Sequence, residues 1–321
     1  MLNYELGTIE ASEALIKDLY IDLRTKVNAW SEITQQTPQA RMGYIGQHLV
    51  SVVTGYPGGK SGARGYDLII SPSEHGEIKT CYRVDQLGSC NKCSAVVSSL
   101  ETSCSACGSD DINRKDDSKW LISIRTDDEF AKILNPHVYY FVLFEYEDLS
   151  NTAQSNIIAS IWEVNPKTKG FAYCMIDYYL NIKDNAPFNM WPYMIKFALT
   201  NPKLIYRSKI SASGEIRTEV FPILGNEYYD EIKPLPIYSS SQTITADHVK
   251  KLIKRIDDSE RVTGLNKKKL LGKLEELRQQ HGITNLALCD MLAEEIYLPK
   301  IQPKKAQIPT TIKALFAELS D

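Results

Sequence analysis

Residues Gly62 to Gly108 read GARGYDLIISPSEHGEIKTCYRVDQLGSCNKCSAVVSSLETSCSACG. Two chemical patterns lie in this stretch. One is Asp67 followed, after a turn, by Glu77-Ile78-Lys79; the other is a pair of Cys-x-x-Cys knuckles at Cys90/Cys93 and Cys104/Cys107. The run from Gly65 to Ile70 is apolar and bounded by glycine and by Ser71-Pro72-Ser73, which predicts a strand. Gly76 to Val84 predicts the next strand, with Glu74-His75-Gly76 as the hairpin turn. Successive strand side chains point to opposite faces, so Glu77 and Lys79 share one face about 6.6 Å apart while Ile78 turns to the core. Asp67 arrives on the neighbouring strand. Two carboxylates and an ammonium then meet at one sheet edge.

That grouping suits metal-assisted hydrolysis of a phosphodiester. Mg2+ prefers hard oxygen ligands, commonly one or two carboxylates plus water and substrate oxygens. A bound ion acidifies a water and offsets the charge that grows on phosphorus, and a neighbouring ammonium stabilises the same charge. Asp67 and Glu77 are the candidate metal ligands and Lys79 the group that orients water or stabilises charge. Taken alone, Glu77-x-Lys79 would read as an exposed salt-bridged strand face. Asp67 and the intervening turn set it apart.

The cysteines follow Cys-x2-Cys-x10-Cys-x2-Cys, a spacing that predicts a tetrahedral Zn2+ site at Cys90, Cys93, Cys104 and Cys107. With all four positions filled by protein such a site is structural, and Gly108 suits the tight turn behind the second knuckle. Two disulfides are the alternative, but they require an oxidising compartment. The opening residues Met1 to Glu5 lack a leader signature, so the expectation is a cytoplasmic protein. Cys81, Cys174 and Cys289 lie outside the knuckles and read as small buried hydrophobes.

Lys and Arg number 37 against 40 Asp and Glu, for a net charge of −3. The whole molecule thus offers no electrostatic pull on nucleic acid, and any such contact must come from local basic surface. Lys60 and Arg64, in the glycine-rich loop from Gly55 to Gly65 that leads to Asp67, are the candidates for DNA phosphate contacts. Gly59-Lys60-Ser61 has the look of a phosphate loop, but a helix precedes it and a strand follows, the reverse of what a nucleotide-binding loop needs. The longest apolar run, Val138 to Phe144, is too short to cross a bilayer.

Helices are predicted over Glu10 to Trp30, with Ala14, Leu15, Leu19, Leu23 and Val27 as the apolar stripe, and from Thr37-Pro38 to Thr54-Gly55. On the second, Gly43 and Gly46 suggest close packing, while Gln47 and His48 face the site, Gln47 as an outer or solvent residue. Strands follow at Trp120 to Ile124, Val138 to Glu145 and Ile157 to Val164, with Thr126 capping a short helix between the first two. Ser211 to Gly214 predicts a hairpin turn flanked by Lys203, Arg207, Lys209 and Arg217, a ribbon of a size to enter a major groove. Ser239 to Gln242 is the linker candidate. It separates a domain over 1–238, carrying the cysteine insert at 88–112, from a basic helical domain over 239–321 that would bind DNA or dimerise. The latter holds helices at Thr245–Asp257, Asn266–Gln280 and Asn285–Leu298, an extended connector at Pro299–Lys305 and a terminal helix at Thr311–Leu319.

At Asp67 and Glu77-Ile78-Lys79 the sequence resembles the PD-(D/E)xK nuclease superfamily, with Tyr66 where a proline is usual. Together with the four-cysteine insert it resembles type II restriction endonucleases, and among them the MamI-like group. The resemblance implies an α/β (α+β) fold: a restriction-endonuclease-like mixed β-sheet core flanked by helices, with an inserted zinc ribbon and a C-terminal helical domain. The order helix, strand, strand, strand, helix, strand, with the zinc unit between the second and third strands, agrees with it. It further implies a Mg2+-dependent, site-specific endonuclease acting on double-stranded DNA and leaving 5′-phosphate and 3′-hydroxyl ends. A homodimer matched to a palindromic site, a prokaryotic cytoplasm and a cognate DNA methyltransferase in the same cell complete that expectation. Two rival readings are a repair or junction nuclease on the same core and a non-catalytic zinc-ribbon protein that binds nucleic acid.

Overall fold

The computed structural model describes residues 3–34, 43–59, 66–82, 88–97, 103–114, 121–148, 151, 154–184, 188–189, 197, 199–222 and 244–320. Two compact units form, one from Met1–Lys119, Val138–Glu163 and Lys203–Ile232, the other from Trp120–His137, Val164–Pro202 and Lys233–Asp321. The C-terminal helices thus share a unit with residues from mid-chain. The expected linker Ser239 to Gln242 falls outside the described residues.

In the first unit a helical run opens with α1 (Ile9–Leu15), passes through a π-helical segment (Ile16–Asp22) and continues as α2 (Leu23–Thr34). Thr8 caps it, its hydroxyl accepting from the Ala11 N–H. The buried stripe is Ala11, Ser12, Ile16 and Tyr20, not the predicted one: Leu19 and Leu23 are 37% and 38% exposed. Both stripes are apolar, so periodicity cannot choose between them. The Tyr20 ring decides it by stacking on Phe144 at 4.5 Å. Helix α3 (Gly43–Thr54) lies over the sheet, with Ile45, Leu49, Val50 and Val53 in one cluster with Leu68, Ile78, Tyr140 and Val142.

The sheet has six strands in the order β1 (Leu68–Ile69), β2 (His75–Tyr82), β7 (Val138–Tyr146), β8 (Ile157–Val164), β10 (Lys203–Ile210), β11 (Ile216–Val220). It is mixed: β1 runs antiparallel to β2, β2 parallel to β7, and β10 antiparallel to both β8 and β11. Strand β7 is buried along its first seven residues, as its unbroken apolar run requires of an interior parallel strand. The hairpin before β2 differs from expectation. Its turn is Ser71 to Glu74, where Ile70 and Ser71 N–H groups both reach the Glu74 carbonyl, so His75 and Gly76 already pair with Ile69 and Leu68. Pro72, which cannot donate, sits in the turn. The β10–β11 hairpin turns at Ser211 to Gly214 as predicted, with Gly214 at φ +83°.

Between β2 and β7 the chain forms a small sheet, β4 (Val96–Val97), β3 (Gly88–Cys90), β5 (Ile112–Arg114), which carries the cysteines. The expected third core strand, Trp120 to Ile124, is instead β6 (Leu121–Ile122), paired with β9 (Phe188–Asn189) in a sheet of their own. The longer β7, apolar from Val138 to Phe144, takes the place beside β2.

The second unit is mainly helical. Helices α4 (Asp127–Leu134) and α5 (Lys169–Asn181) start at Thr126 and Thr168, whose hydroxyls accept from Glu129 and Phe171. Gly170 to Tyr179 are all buried, and a Cβ on Gly170 would fall 1.8 Å from the Leu199 carbonyl oxygen. Downstream lie α6 (Ala246–Ile256), α7 (Lys267–Gln280), α8 (Asn285–Ile301) and α9 (Thr310–Ser320). Pro299 lies inside α8, and Gln302–Gln307 is a 3-10 turn, so the predicted extended connector is wrong. Pro299 removes one backbone donor, yet Ile296, Tyr297 and Ile301 are buried on that turn and hold it helical. Lys169 of α5 and Arg255 of α6 both bind the Glu294 carboxylate of α8, at 2.6 and 2.5 Å. Among the described residues no helix is long and apolar enough to cross a membrane.

Candidate active site and metal centre

Asp67 ends the approach to β1 at the sheet edge. Its Oδ1 accepts from Gln47 Nε2 of α3 at 2.9 Å, and its Oδ2 accepts from the Ile78 backbone N–H of β2 at 2.9 Å. Both bonds are charge-assisted, so they fix the carboxylate's plane as well as its place. A Cβ on Gly46 would lie 2.0 Å from Thr80 Oγ1, and this close approach of α3 to β2 brings the neighbouring Gln47 within reach of Asp67.

Glu77 and Lys79 stand on one face of β2, and Lys79 Nζ donates to Glu77 Oε1 at 2.5 Å, the side chains 26% and 35% exposed respectively. An exposed pair of this kind adds about 0–1 kcal/mol, so stability gives little reason for it. Tyr139 lies opposite Glu77 on β7 and is buried. Its phenol is pushed well above the ordinary value, by burial first and then by the negative charges of Glu77 and Asp67. One buried ring thus feels the charge of both carboxylates.

A hard cation fits this donor set. Asp67, directly before β1, and Glu77, on β2, carry the oxygens, both partly open to solvent, and a carboxylate keeps free lone pairs after accepting one hydrogen bond per oxygen. Gln47, expected as an outer or solvent residue, takes the outer place, holding Asp67 rather than offering a ligand of its own. Tyr139 was missed, because only the parallel register of β2 on β7 brings it beside Glu77. His48 is exposed. Lys60 and Arg64 lie outside the described residues. Arg207 and Lys209 are engaged with Glu219 and Glu147, at 3.2 and 2.6 Å.

The four knuckle sulfurs converge, all within 4.8 Å of one another. Cys90 and Cys107 Sγ are 3.6 Å apart, Cys93 and Cys104 Sγ 3.5 Å, well beyond a disulfide bond. Tetrahedral zinc with bonds of about 2.3 Å to sulfur sets its ligands about 3.8 Å apart, so the cluster can hold zinc. The two knuckles share one backbone form. Ser94 N–H donates to the Cys90 carbonyl and Gly108 N–H to that of Cys104, at 2.8 and 2.7 Å, and both donors have positive φ. Burial pushes the Cys90 thiol up, but the Cys93 and Lys92 N–H groups and the neighbouring thiols draw it down to about 7. Cys93 is drawn down by the Ala95 N–H, yet the Cys107 and Cys104 thiols push it up to about 12. Four sulfurs this close cannot all ionise without a cation among them.

The family model described as MamI restriction endonuclease matches residues 29–239, which include Asp67, Glu77, Lys79 and all four knuckle cysteines. No curated protein matches the chain. No solved structure matches it either.

Proposed function

Because this chain belongs to the MamI restriction endonuclease family, we propose that it is a Mg2+-dependent, site-specific endonuclease cutting double-stranded DNA at Asp67, Glu77 and Lys79. The observation that carries the reading is the pinning of Asp67 at both oxygens beside the Glu77–Lys79 pair. Asp67 and Glu77 would hold the ion. Mg2+, when bound, supplies an acidified water and offsets charge on the phosphate. Gln47 and the Ile78 N–H keep Asp67 from turning away as substrate enters. Lys79 orients the attacking water and faces the charge that develops on the phosphate oxygens. In-line attack would leave a 5′-phosphate and a 3′-hydroxyl.

Zn2+ at Cys90, Cys93, Cys104 and Cys107 would be structural, tying the two knuckles of the 88–112 insert together. Lys60 and Arg64 are the proposed phosphate contacts. A two-fold homodimer on a palindromic site, a cytoplasmic location and a cognate methyltransferase belong to the same reading, as does a DNA-binding or dimerising role for the helices beyond residue 244.

Plasmid DNA incubated with the purified protein and Mg2+ should yield discrete fragments. Asp67→Ala, Glu77→Ala and Lys79→Ala should each abolish them with circular dichroism unchanged. Normal cutting by any one of the three overturns the site. A smear in place of bands removes site specificity, and cutting confined to branched or mismatched substrates favours a repair enzyme.

A further inference from the structure

Beside the proposed metal ligands lies a pair of rings that neither the fold nor that reading uses. Tyr66 stacks on His75 with centroids 3.8 Å apart and planes 14° from parallel. Tyr66 directly precedes Asp67, and His75 opens β2 opposite Ile69 of the edge strand β1. His75, Glu77 and Lys79 alternate with the buried Gly76 and Ile78, so the three share one face in steps of about 6.6 Å. The stack leaves Tyr66 51% exposed. His75 Nδ1 is buried with no hydrogen-bond partner. An unpartnered buried nitrogen costs more than one ring stack returns, so packing does not account for the pair. Arrangements that break a local rule without a packing gain gather at functional positions.

We propose that Tyr66, backed by His75, is a stacking platform for a base of the cut strand that is turned out of the duplex stack next to the attacked phosphate. The proposal rests on the reading of Asp67, Glu77 and Lys79 as the cleavage site and adds a substrate contact to it. An exposed aromatic face takes any base, because every base has a π-face. The ring lies flat against the imidazole, so little side-chain freedom is lost when a base settles on it. The step from His75 to Glu77 corresponds to about two nucleotide rises of roughly 3.4 Å, which puts a base on Tyr66 within a nucleotide or two of a phosphate at Glu77. The contact contributes affinity and alignment and leaves the choice of sequence to other groups.

The test uses full-length protein and a short fluorescein-labelled duplex spanning a mapped cut site. Affinity is read by anisotropy with Ca2+ in place of Mg2+, and rate by single-turnover cleavage with Mg2+. Tyr66→Ala should lose about tenfold in affinity, the equivalent of about 1.4 kcal/mol, while Tyr66→Phe and His75→Phe keep close to the parent value. Should Tyr66→Ala fail to fold, Tyr66→Leu, which keeps bulk but no π-face, takes the same measurement. An abasic sugar at a nucleotide flanking the cut should weaken the parent and leave Tyr66→Ala unaffected, a readout that a merely structural tyrosine would not move. Equal affinity of Tyr66→Ala and parent, or an equal response of the two to the abasic duplex, overturns the platform. Asp67→Ala separates the two claims. If Asp67→Ala is inert while Tyr66→Ala binds and cuts as the parent does, only the platform falls. If Asp67→Ala still cuts, or the parent binds no duplex, the underlying site reading falls with it.

Discussion

Replacing Gly46 by alanine probes the seam between α3 and β2 on which Gln47 and Asp67 depend. The new Cβ would meet Thr80 Oγ1 at 2.0 Å, Cγ2 at 2.7 Å and Cβ at 2.9 Å. Turning Thr80 about χ1 moves the first two atoms and leaves the third, so no rotamer change removes the clash. Ordinary carbon contact lies near 3.5–4.0 Å, so helix and strand must part by at least about 0.6 Å. That gap opens the packing of Ile45 and Leu49 against Ile78. Overpacking of this kind costs about 1–3 kcal/mol, and the severity of the 2.0 Å approach puts Gly46→Ala at the upper end. Alanine's better helix propensity returns about 1 kcal/mol, which leaves a net loss of about 2 kcal/mol. Urea unfolding should show a lower midpoint at unchanged slope. Single-turnover cleavage by the folded fraction should fall as well, because the Gln47–Asp67 bond spans the opened seam. Adding Thr80→Ala should recover part of the loss, since only the Cβ contact at 2.9 Å then remains. A midpoint equal to or above the parent's would refute the reasoning: the seam would be soft, and the placement of Gln47 would owe nothing to Gly46.

Cys104→Ser should lower bound zinc and the thermal midpoint together, because Cys104 is a buried member of the four-sulfur cluster; emission spectrometry reporting unchanged zinc would count against the centre. Burial pushes the Glu294 carboxyl up, but Lys169 and Arg255 outweigh it and hold the group below its ordinary value. A carboxyl lowered by folding adds stability above its unfolded pKa of about 4.3, and that stability is lost as pH falls through the folded value. Asp290, raised by burial, works in the opposite direction. Glu294→Gln should therefore cost about 1–3 kcal/mol near neutral pH, toward the low end because Arg255 is half exposed. It should also flatten the loss of stability below about pH 4.5; an unchanged slope in acid titration of the unfolding midpoint would show that the bridge contributes nothing.

Much of the fold was legible because its signals are local. The unbroken apolar run of β7 could only be an interior strand. Thr126 and Thr245 cap helices by accepting from a backbone N–H three residues on, a pattern carried entirely by neighbours in sequence. The readings that went astray needed distant partners. Leu19 and Leu23 lost the core to Ile16 and Tyr20 because Phe144, far along the chain, offered a ring for Tyr20 to stack on. Trp120 to Ile124 read as a core strand, but strand pairing is settled by competition: β7 pairs with β2 over seven residues, where β6 is two residues long.

By itself the sequence determined the chemistry available: two carboxylates and an ammonium around one hairpin, and four sulfurs at metal-binding spacing. Alternation along β2 sets which side chains share a face, and knuckle spacing sets which sulfurs can meet, both through bonds a few residues long. Only the tertiary structure decided what holds and surrounds those groups. The contact of α3 with β2 hands Asp67 to Gln47, the register of β2 on β7 puts Tyr139 beside Glu77, and the turn at Ser71 to Glu74 brings His75 under Tyr66. Each of these depends on packing between segments that share no local code, so none could be read before the chain was folded.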